Sequence, residues 1–334
     1  MKPFTVIIPT ANRPDFLKTA LNSVARQNNL NEIEEVLVSE NLGDRSSEEI
    51  CKQFKDLLPI RYLFQNPQKS NVEHIYGLYK LVETEFTAML CDDDWWCPSH
   101  LHNAHYTLSK SLQASSFFSS NLYVESENSL NASIYNHPYL IQILLDKSKC
   151  LDCMILDKQN ILSICWLLTP FHLSSMVART PNLKKALDTI GIPHPWNGDR
   201  VLYVGLSVTG DIIYDPIIST YTRSHQGNWM QGKDPNLLLQ QQEQGSSKIM
   251  EIAEVNNVNL PAIWKDYILE DSSSVRELKE ALKCRFSSDW LKKYGFYIVK
   301  DNKQNQLASI KNIVKLFLPP IFLMPFRFLK KSRK

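Results

Sequence analysis

Over the first 90 residues of this 334-residue chain, short apolar runs alternate with segments of helical periodicity. Phe4–Ile8, Glu35–Ser39, Ile60–Phe64 and Phe86–Leu90 are too short for helices and rich in strand formers. Between them, Phe16, Leu17, Ala20, Leu21 and Val24 recur at helical spacing, with Asn12 or Arg13 at the cap and Pro14 in the first turn. Ser47 to Leu57 reads as a second helix, and Val72 to Val82 as a third, with Ile75, Leu78, Tyr79 and Val82 on one side. Strand–helix alternation through short links predicts an α/β fold, a mostly parallel sheet flanked by helices. Ligands of such sheets bind beyond the carboxyl ends of the strands. Thr10-Ala11-Asn12, Glu40-Asn41 and Asp92-Asp93-Asp94 stand at those ends and are expected to converge on one crevice.

The three aspartates follow the fourth apolar run and precede Trp95-Trp96. At ~4 Å and an effective dielectric of ~20, each like-charge pair costs about 4 kcal/mol. Protonation, a cation or solvation in an open loop must offset that. Hard divalent ions such as Mg²⁺ or Mn²⁺ prefer carboxylate oxygens and reach proteins through one or two of them plus substrate phosphates. In extended chain, residues i and i+2 share a face. Asp92 and Asp94 would then address one metal–diphosphate, with Asp93 turned away. A solvated acidic turn is the plainer alternative.

Composition excludes several classes. The glycines are few, 10, and neither a dinucleotide fingerprint nor a Walker loop is present. The seven cysteines are scattered, and no leader precedes the first strand, which fits a reducing cytoplasm. Cys150-Leu151-Asp152-Cys153 has no second pair at zinc-site spacing, so buried small hydrophobes are the default. The net charge of +2 hides an asymmetry, because residues 311–334 hold seven basic groups and no acidic one. A nucleic-acid enzyme would spread its basic surface over the fold, so no nucleic-acid partner is expected.

Further along, Leu101 to Leu112 and Leu183 to Ile190 read as helices and Ala114 to Val124 as a strand. Gly198-Asp199-Arg200 opens another helix pattern. Ile212–Tyr214 is a late strand, closed by Asp215-Pro216. Residues 234 to 305 carry polar helical and loop segments without a chemical motif.

Four places resemble the family-2 glycosyltransferases of the GT-A fold, across roughly Lys2 to Asn228. Val6-Ile7-Ile8-Pro9-Thr10-Ala11-Asn12-Arg13 is similar to the family's opening strand and loop. Asp92-Asp93-Asp94 resembles its DXD-type metal motif. Asp199, after Trp196-Asn197-Gly198, is similar to the acidic position supplying the catalytic base. Arg223-Ser224-His225-Gln226-Gly227-Asn228 resembles the later R-x-H-x-x-N segment. There are two departures. Glu40-Asn41 stands where an aspartate usually ends the second strand, and Gly198-Asp199 offers one carboxylate where a pair is common.

The resemblance implies a Rossmann-like nucleotide-binding half and a catalytic domain over residues 1–230. A helical extension would follow over 231–305 and an apolar, basic tail over 306–334. It implies a nucleotide-diphosphate sugar donor, Mg²⁺ or Mn²⁺, and transfer to a hydroxyl with inversion. Asp199 would be the general base; Asp92, Asp94 and His225 would hold the metal. Thr10, Asn12, Arg13, Glu40, Asn71, Asp92, Asp93 and Arg223 would bind the nucleotide sugar. Trp95 or Trp96 could stack on a sugar, with a core role for at least one.

The segment Ile313–Leu329 is apolar but interrupted by three prolines, too broken for a membrane span, and Lys330, Lys331, Arg333 and Lys334 follow it. That pairing suits peripheral contact with an anionic bilayer at the inner face of the cytoplasmic membrane, and so a glycan or lipid-linked acceptor of surface polysaccharide assembly. Docking on the protein itself or on a partner chain is the alternative. Two rival functions are a nucleotidyltransferase, which would need a glycine- and basic-rich first loop, and a silent nucleotide-sugar-binding protein.

Overall fold

The computed structural model describes residues 2–41, 43–126, 129–132, 153–191, 198–225, 234–269, 279, 282, 283 and 285–296. Its amino-terminal part alternates strictly: β1 (Phe4–Thr10), α1 (Pro14–Ala25), β2 (Ile33–Asn41), α2 (Ser46–Gln53), β3 (Ile60–Gln65), α3 (Asn71–Leu81) and β4 (Phe86–Met89). There follow β5 (Trp95–Trp96), α4 (His100–Lys110), β6 (Ala114–Ser126), β7 (Ser129–Ala132), β8 (Met154–Leu156) and α5 (Lys158–Leu167). A 3₁₀ turn, Leu173–Ser175, leads into β9 (Met176–Arg179), α6 (Thr180–Ile190), α7 (Gly198–Thr209) and β10 (Asp211–Arg223). The last helices are α8 (Pro235–Val255), α9 (Leu260–Leu269) and α10 (Ser288–Lys293).

The strands form one sheet in the order β3-β2-β1-β4-β9-β6-β10-β5, with β7 beside β6 and β8 beside β10. The pairs β3–β2, β2–β1, β1–β4 and β6–β10 are parallel. β9 enters antiparallel between β4 and β6, a long-range insertion that local periodicity does not announce. Antiparallel twice over, β6 and β10 point the same way as β4. The carboxyl ends of β1, β2, β4 and β10 therefore share one edge, and the chain reverses its direction of growth between β1 and β4, where such sheets bind ligands.

Alternation along each strand divides the core. Val6, Ile8, Val36 and Val38 face α1, α2 and α4, whereas Ile7, Leu37 and Met89 face the α3, α5, α6 and α7 side. Ile249, Ile252, Trp264 and Trp290 from α8, α9 and α10 join that second cluster. Trp166, fully buried on α5, packs its ring 5.6 Å from Trp290 and 5.6 Å from Phe296.

One sequence expectation is corrected and one is refined. β10 does not close at Asp215-Pro216 but runs on to Arg223. Its pairing with β6 skips from Asp215 to Ile218, so Pro216 sits in a bulge that asks nothing of its missing N–H. Arg13 stands at the N-cap of α1, without a capping hydrogen bond from its side chain. Asn12 adopts φ 53° and accepts the Asp44 N–H at 3.2 Å.

α7 turns into β10 through Gly210. A Cβ there would lie 2.5 Å from the Gln113 carbonyl oxygen and 3.0 Å from the Ser115 nitrogen, both backbone atoms. Gly210→Ala is expected to destabilise the fold by about 1–3 kcal/mol. A denaturation midpoint equal to that of the wild type would show that this turn yields.

Candidate active site

The aspartates form a tight turn at the end of β4. The Asp94 N–H donates to the Cys91 carbonyl at 3.2 Å, so the backbone is not extended. The expectation that Asp92 and Asp94 share a face assumed extended chain, and the turn gives the three carboxylates different partners. Asp92 accepts from the Thr10 hydroxyl at 2.8 Å and from Arg13 Nη1 at 3.3 Å. Asp93 lies 3.0 Å from His225 Nε2 and accepts from Arg13 Nη1 at 3.3 Å. Asp94, 1% exposed, is gripped at both oxygens: Ser174 Oγ donates to Oδ2 at 2.5 Å and the Arg223 N–H to Oδ1 at 3.1 Å.

Topology brings these partners together. Thr10 ends β1 and Arg13 precedes α1. Arg223 ends β10, parallel to β6 and thus opening on the same edge. The Arg223 guanidinium lies over Phe16 (4.8 Å) and Trp95 (5.1 Å), and its Nε donates to the Asp93 carbonyl at 3.3 Å. Phe16 also packs against the His225 ring at 4.6 Å. Trp96 is buried, while half-buried Trp95 stacks on Tyr221 at 5.5 Å.

Electrostatics follow from this seating. Burial and the Asp93 charge raise the Asp92 carboxyl to about 6, against Arg13 and Thr10. Burial, again with Asp93, holds Asp94 well above the ordinary value. Burial works upward on Asp93 too, but the His225 hydrogen bond, with Arg13 and His172, brings it below the ordinary value. The turn thus concentrates its negative charge on Asp93. His172, whose Nδ1 lies 3.5 Å from Asp94 Oδ2, is driven down to about 4 by burial.

The remaining sequence candidates lie around this turn. Glu40 is fully buried at the end of β2; Oε2 accepts from the Tyr62 hydroxyl at 2.6 Å, and Oε1 has no partner among the described residues. Gly43, at φ 143°, keeps that oxygen close: a Cβ there would sit 2.8 Å from it and 2.2 Å from Asn12 Oδ1. Asn71 is exposed as the first residue of α3, which Ser70 and Glu73 cap, and it makes no recorded contact with the aspartates. Asp199 stands in the first turn of α7, its carboxyl raised by burial. A helix that leads directly into a strand runs antiparallel to it, so the start of α7 lies toward the edge where β10 ends. The charge of Asp199 is felt by buried Tyr76 and Tyr79, and Tyr79 also feels Cys91. Next to it, buried Arg200 donates to the Cys165, Trp166 and Gln242 carbonyls at 3.0, 3.1 and 3.1 Å, anchoring α7 to α5 and α8. Trp196, Asn197, Gln226, Gly227, Asn228 and the tail 306–334 lie outside the described residues.

Sequence reasoning missed Ser174, His172 and Cys91. The Cys91 thiol and one oxygen each of Asp93 and Asp94 lie within 4.8 Å of one another, close enough to share an ion. Two hard oxygens suit Mg²⁺ or Mn²⁺, with the softer thiol leaning toward Mn²⁺. Asp92 is not part of that group.

Residues 5–114 match the profile of glycosyl transferase family 2. This stretch is a glycosyltransferase family 2 domain. The match runs from β1 to the first residue of β6 and includes the aspartate turn. No curated protein matches the glycosyltransferase. Among solved structures it is similar to S. aureus TarS 1–349 in complex with UDP-GlcNAc, at 14% identity and a TM-score of 0.58, over 94% of this chain and 81% of that one. The same S. aureus fragment with UDP matches at 14% identity and TM-score 0.54, over 94% and 80%. A mannosyltransferase from Pyrobaculum calidifontis in complex with GDP-Man and Mn²⁺ matches at 11% and 0.51, over 90% and 88%. These likenesses establish the GT-A fold. Among the described residues no helix is long and apolar enough to cross a membrane.

The raised Asp92 carboxyl makes a stability prediction. Its folded pKa of about 6 exceeds the ordinary 3.8, so its contribution is fully present below about 3.8 and lost as pH rises through about 6. Thermal melts of the metal-free protein should show the wild type gaining on Asp92→Asn as pH falls from about 7.5 to about 5. A constant difference across that range would mean that Asp92 is not strained.

Proposed function

We propose that this glycosyltransferase moves a sugar from a nucleotide-diphosphate donor to a hydroxyl acceptor, with inversion, using the turn at Asp92–Asp94 for the diphosphate side and Asp199 as general base. The observation that carries the reading is the convergence of Thr10, Arg13, Arg223 and His225 on that turn, inside a family-2 domain. The TarS complexes with UDP-GlcNAc and UDP and the mannosyltransferase complex with GDP-Man and Mn²⁺ support a nucleotide-sugar donor and a divalent cation.

In this reading Asp93, with Asp94 and Cys91 beside it, would hold the cation, and His225, whose Nε2 lies 3.0 Å from Asp93, would complete the set. A bound Mg²⁺ or Mn²⁺ supplies Lewis acidity that stabilises the departing diphosphate. Arg13 and Arg223 add positive charge beside it, and Thr10 and Arg13 keep Asp92 occupied. Glu40 and Asn12, joined through Gly43, form the nucleoside end, where the unpartnered Glu40 Oε1 can accept from a base or ribose donor. Asn71 borders that end.

The acceptor hydroxyl is a weak nucleophile, and Asp199 removes its proton as the new bond forms. Direct attack on the side opposite the diphosphate inverts the anomeric centre. The raised carboxyl of Asp199 suits a base, since its conjugate acid is a weaker acid than ordinary aspartic acid. Residues 1–230 are the catalytic unit and 231–305 a helical buttress. Residues 306–334 lie on an anionic membrane surface, which favours a lipid-linked glycan acceptor.

Calorimetry on the full chain with UDP and GDP, each with Mn²⁺ or chelator, tests the donor half. Metal-dependent binding of one nucleotide is expected, weakened at least about tenfold in Asp93→Asn. Binding indifferent to chelator would overturn the metal role. Asp199→Asn should bind the donor normally and lose about 10²–10⁴-fold in kcat, and unimpaired transfer would remove it as base. Loss of residues 311–334 should abolish cosedimentation with anionic vesicles, each basic residue contributing ~1 kcal/mol.

A further inference from the structure

The 3₁₀ turn Leu173–Ser175 has no counterpart among the motifs in the sequence, yet it is hydrogen-bonded to both the start and the end of the aspartate turn. Ser174 is fully buried. Its hydroxyl accepts the Cys91 N–H at 3.0 Å and donates to Asp94 Oδ2 at 2.5 Å. Its carbonyl accepts the Trp96 indole N–H at 2.6 Å. One residue therefore binds the start of the turn, its third aspartate and the strand that follows. It stands directly before β9, the strand that pairs with β4, so the sheet itself fixes its position against the turn.

We propose that Ser174 is a positioning residue for the transfer reaction, holding the Cys91–Asp94 turn so that the Asp93 carboxylate faces the diphosphate and its cation. This rests on the donor reading above. Without the hydroxyl, the half-buried Cys91 N–H and the buried Asp94 Oδ2 lose their partner, and an unmet buried group is costly. His172 offers no substitute: its Nδ1, 3.5 Å from Asp94 Oδ2, already accepts the Ser174 N–H at 3.3 Å and in that tautomer carries no proton. The turn must then move to satisfy those groups, and Asp93 moves with it.

Ser175 provides an internal control. It is equally buried on the same turn, but its hydroxyl donates at 2.7 Å to the His172 carbonyl, with no recorded bond to the aspartates. Calorimetry of Mn²⁺ with UDP, and in parallel with GDP, would be run on the full-length wild type, Asp93→Asn, Ser174→Ala, Ser174→Cys and Ser175→Ala, alongside thermal midpoints. Ser174→Ala is expected to weaken metal-dependent nucleotide binding at least about tenfold, since a donor and an acceptor both lose their partner. Ser175→Ala should bind like the wild type whatever its melting temperature. Ser174→Cys, which keeps a weak donor, should fall between the wild type and Ser174→Ala, and it carries the test if Ser174→Ala does not fold. Wild-type affinity in the Ser174 variants, with Asp93→Asn impaired, overturns the proposal and leaves the donor reading standing. Equal losses in the Ser174 and Ser175 variants also overturn it, because the turn would then act only through stability. A wild type that binds neither nucleotide overturns the donor reading, and this proposal with it.

Discussion

Repulsion among three adjacent carboxyl groups is the constraint around which this molecule is arranged. The turn at Asp92–Asp94 sits at the end of a fully buried strand, where Asp92 and Asp94 are shielded from water. The fold relieves the repulsion by treating the residues unequally. Asp92 is raised toward neutrality beside Thr10 and Arg13, Asp94 is buried behind Ser174, and Asp93 retains the charge with His225 and Arg13 beside it. Burial, which separately penalises every ionised group, here sorts them.

Much of the fold was legible because it is local. β1 to β4 and α1 to α4 follow from apolar runs and helical spacing, and the parallel sheet from their alternation. The elements that escaped depend on distant pairing. β9 is four residues long and becomes a strand only between β4 and β6. β10 continues past Pro216 because β6 supplies a partner on the far side of the bulge. Local rules that stop a strand at proline cannot see that partner.

The site shows the same division. Thr10, Arg13, Asp92, Asp93, Asp94, Arg223 and His225 were named from sequence and meet in space. How the aspartates point was not legible, since a turn replaces the extended geometry that would have aligned the first and third. Ser174 and His172 carried no signal, because a three-residue turn has no period and their partners lie some 80 residues away. Only the pairing of β9 with β4 makes that separation short.

The anchors of Asp94 also have a consequence for how the site comes into being. The segment that matches the family profile ends at residue 114, whereas Ser174 and Arg223 lie 80 and 129 residues beyond the aspartate that they hold. Contacts of that sequence separation form late, after loop closure has been achieved. During synthesis from the ribosome, the emerging strands can pair and Thr10 can reach Asp92, but the third aspartate has no support until β9 and β10 are in place. The part that matches the profile therefore lacks both anchors of its third aspartate. Only the end of β10, which brings the Arg223 N–H to Asp94, completes the seat of that carboxyl group.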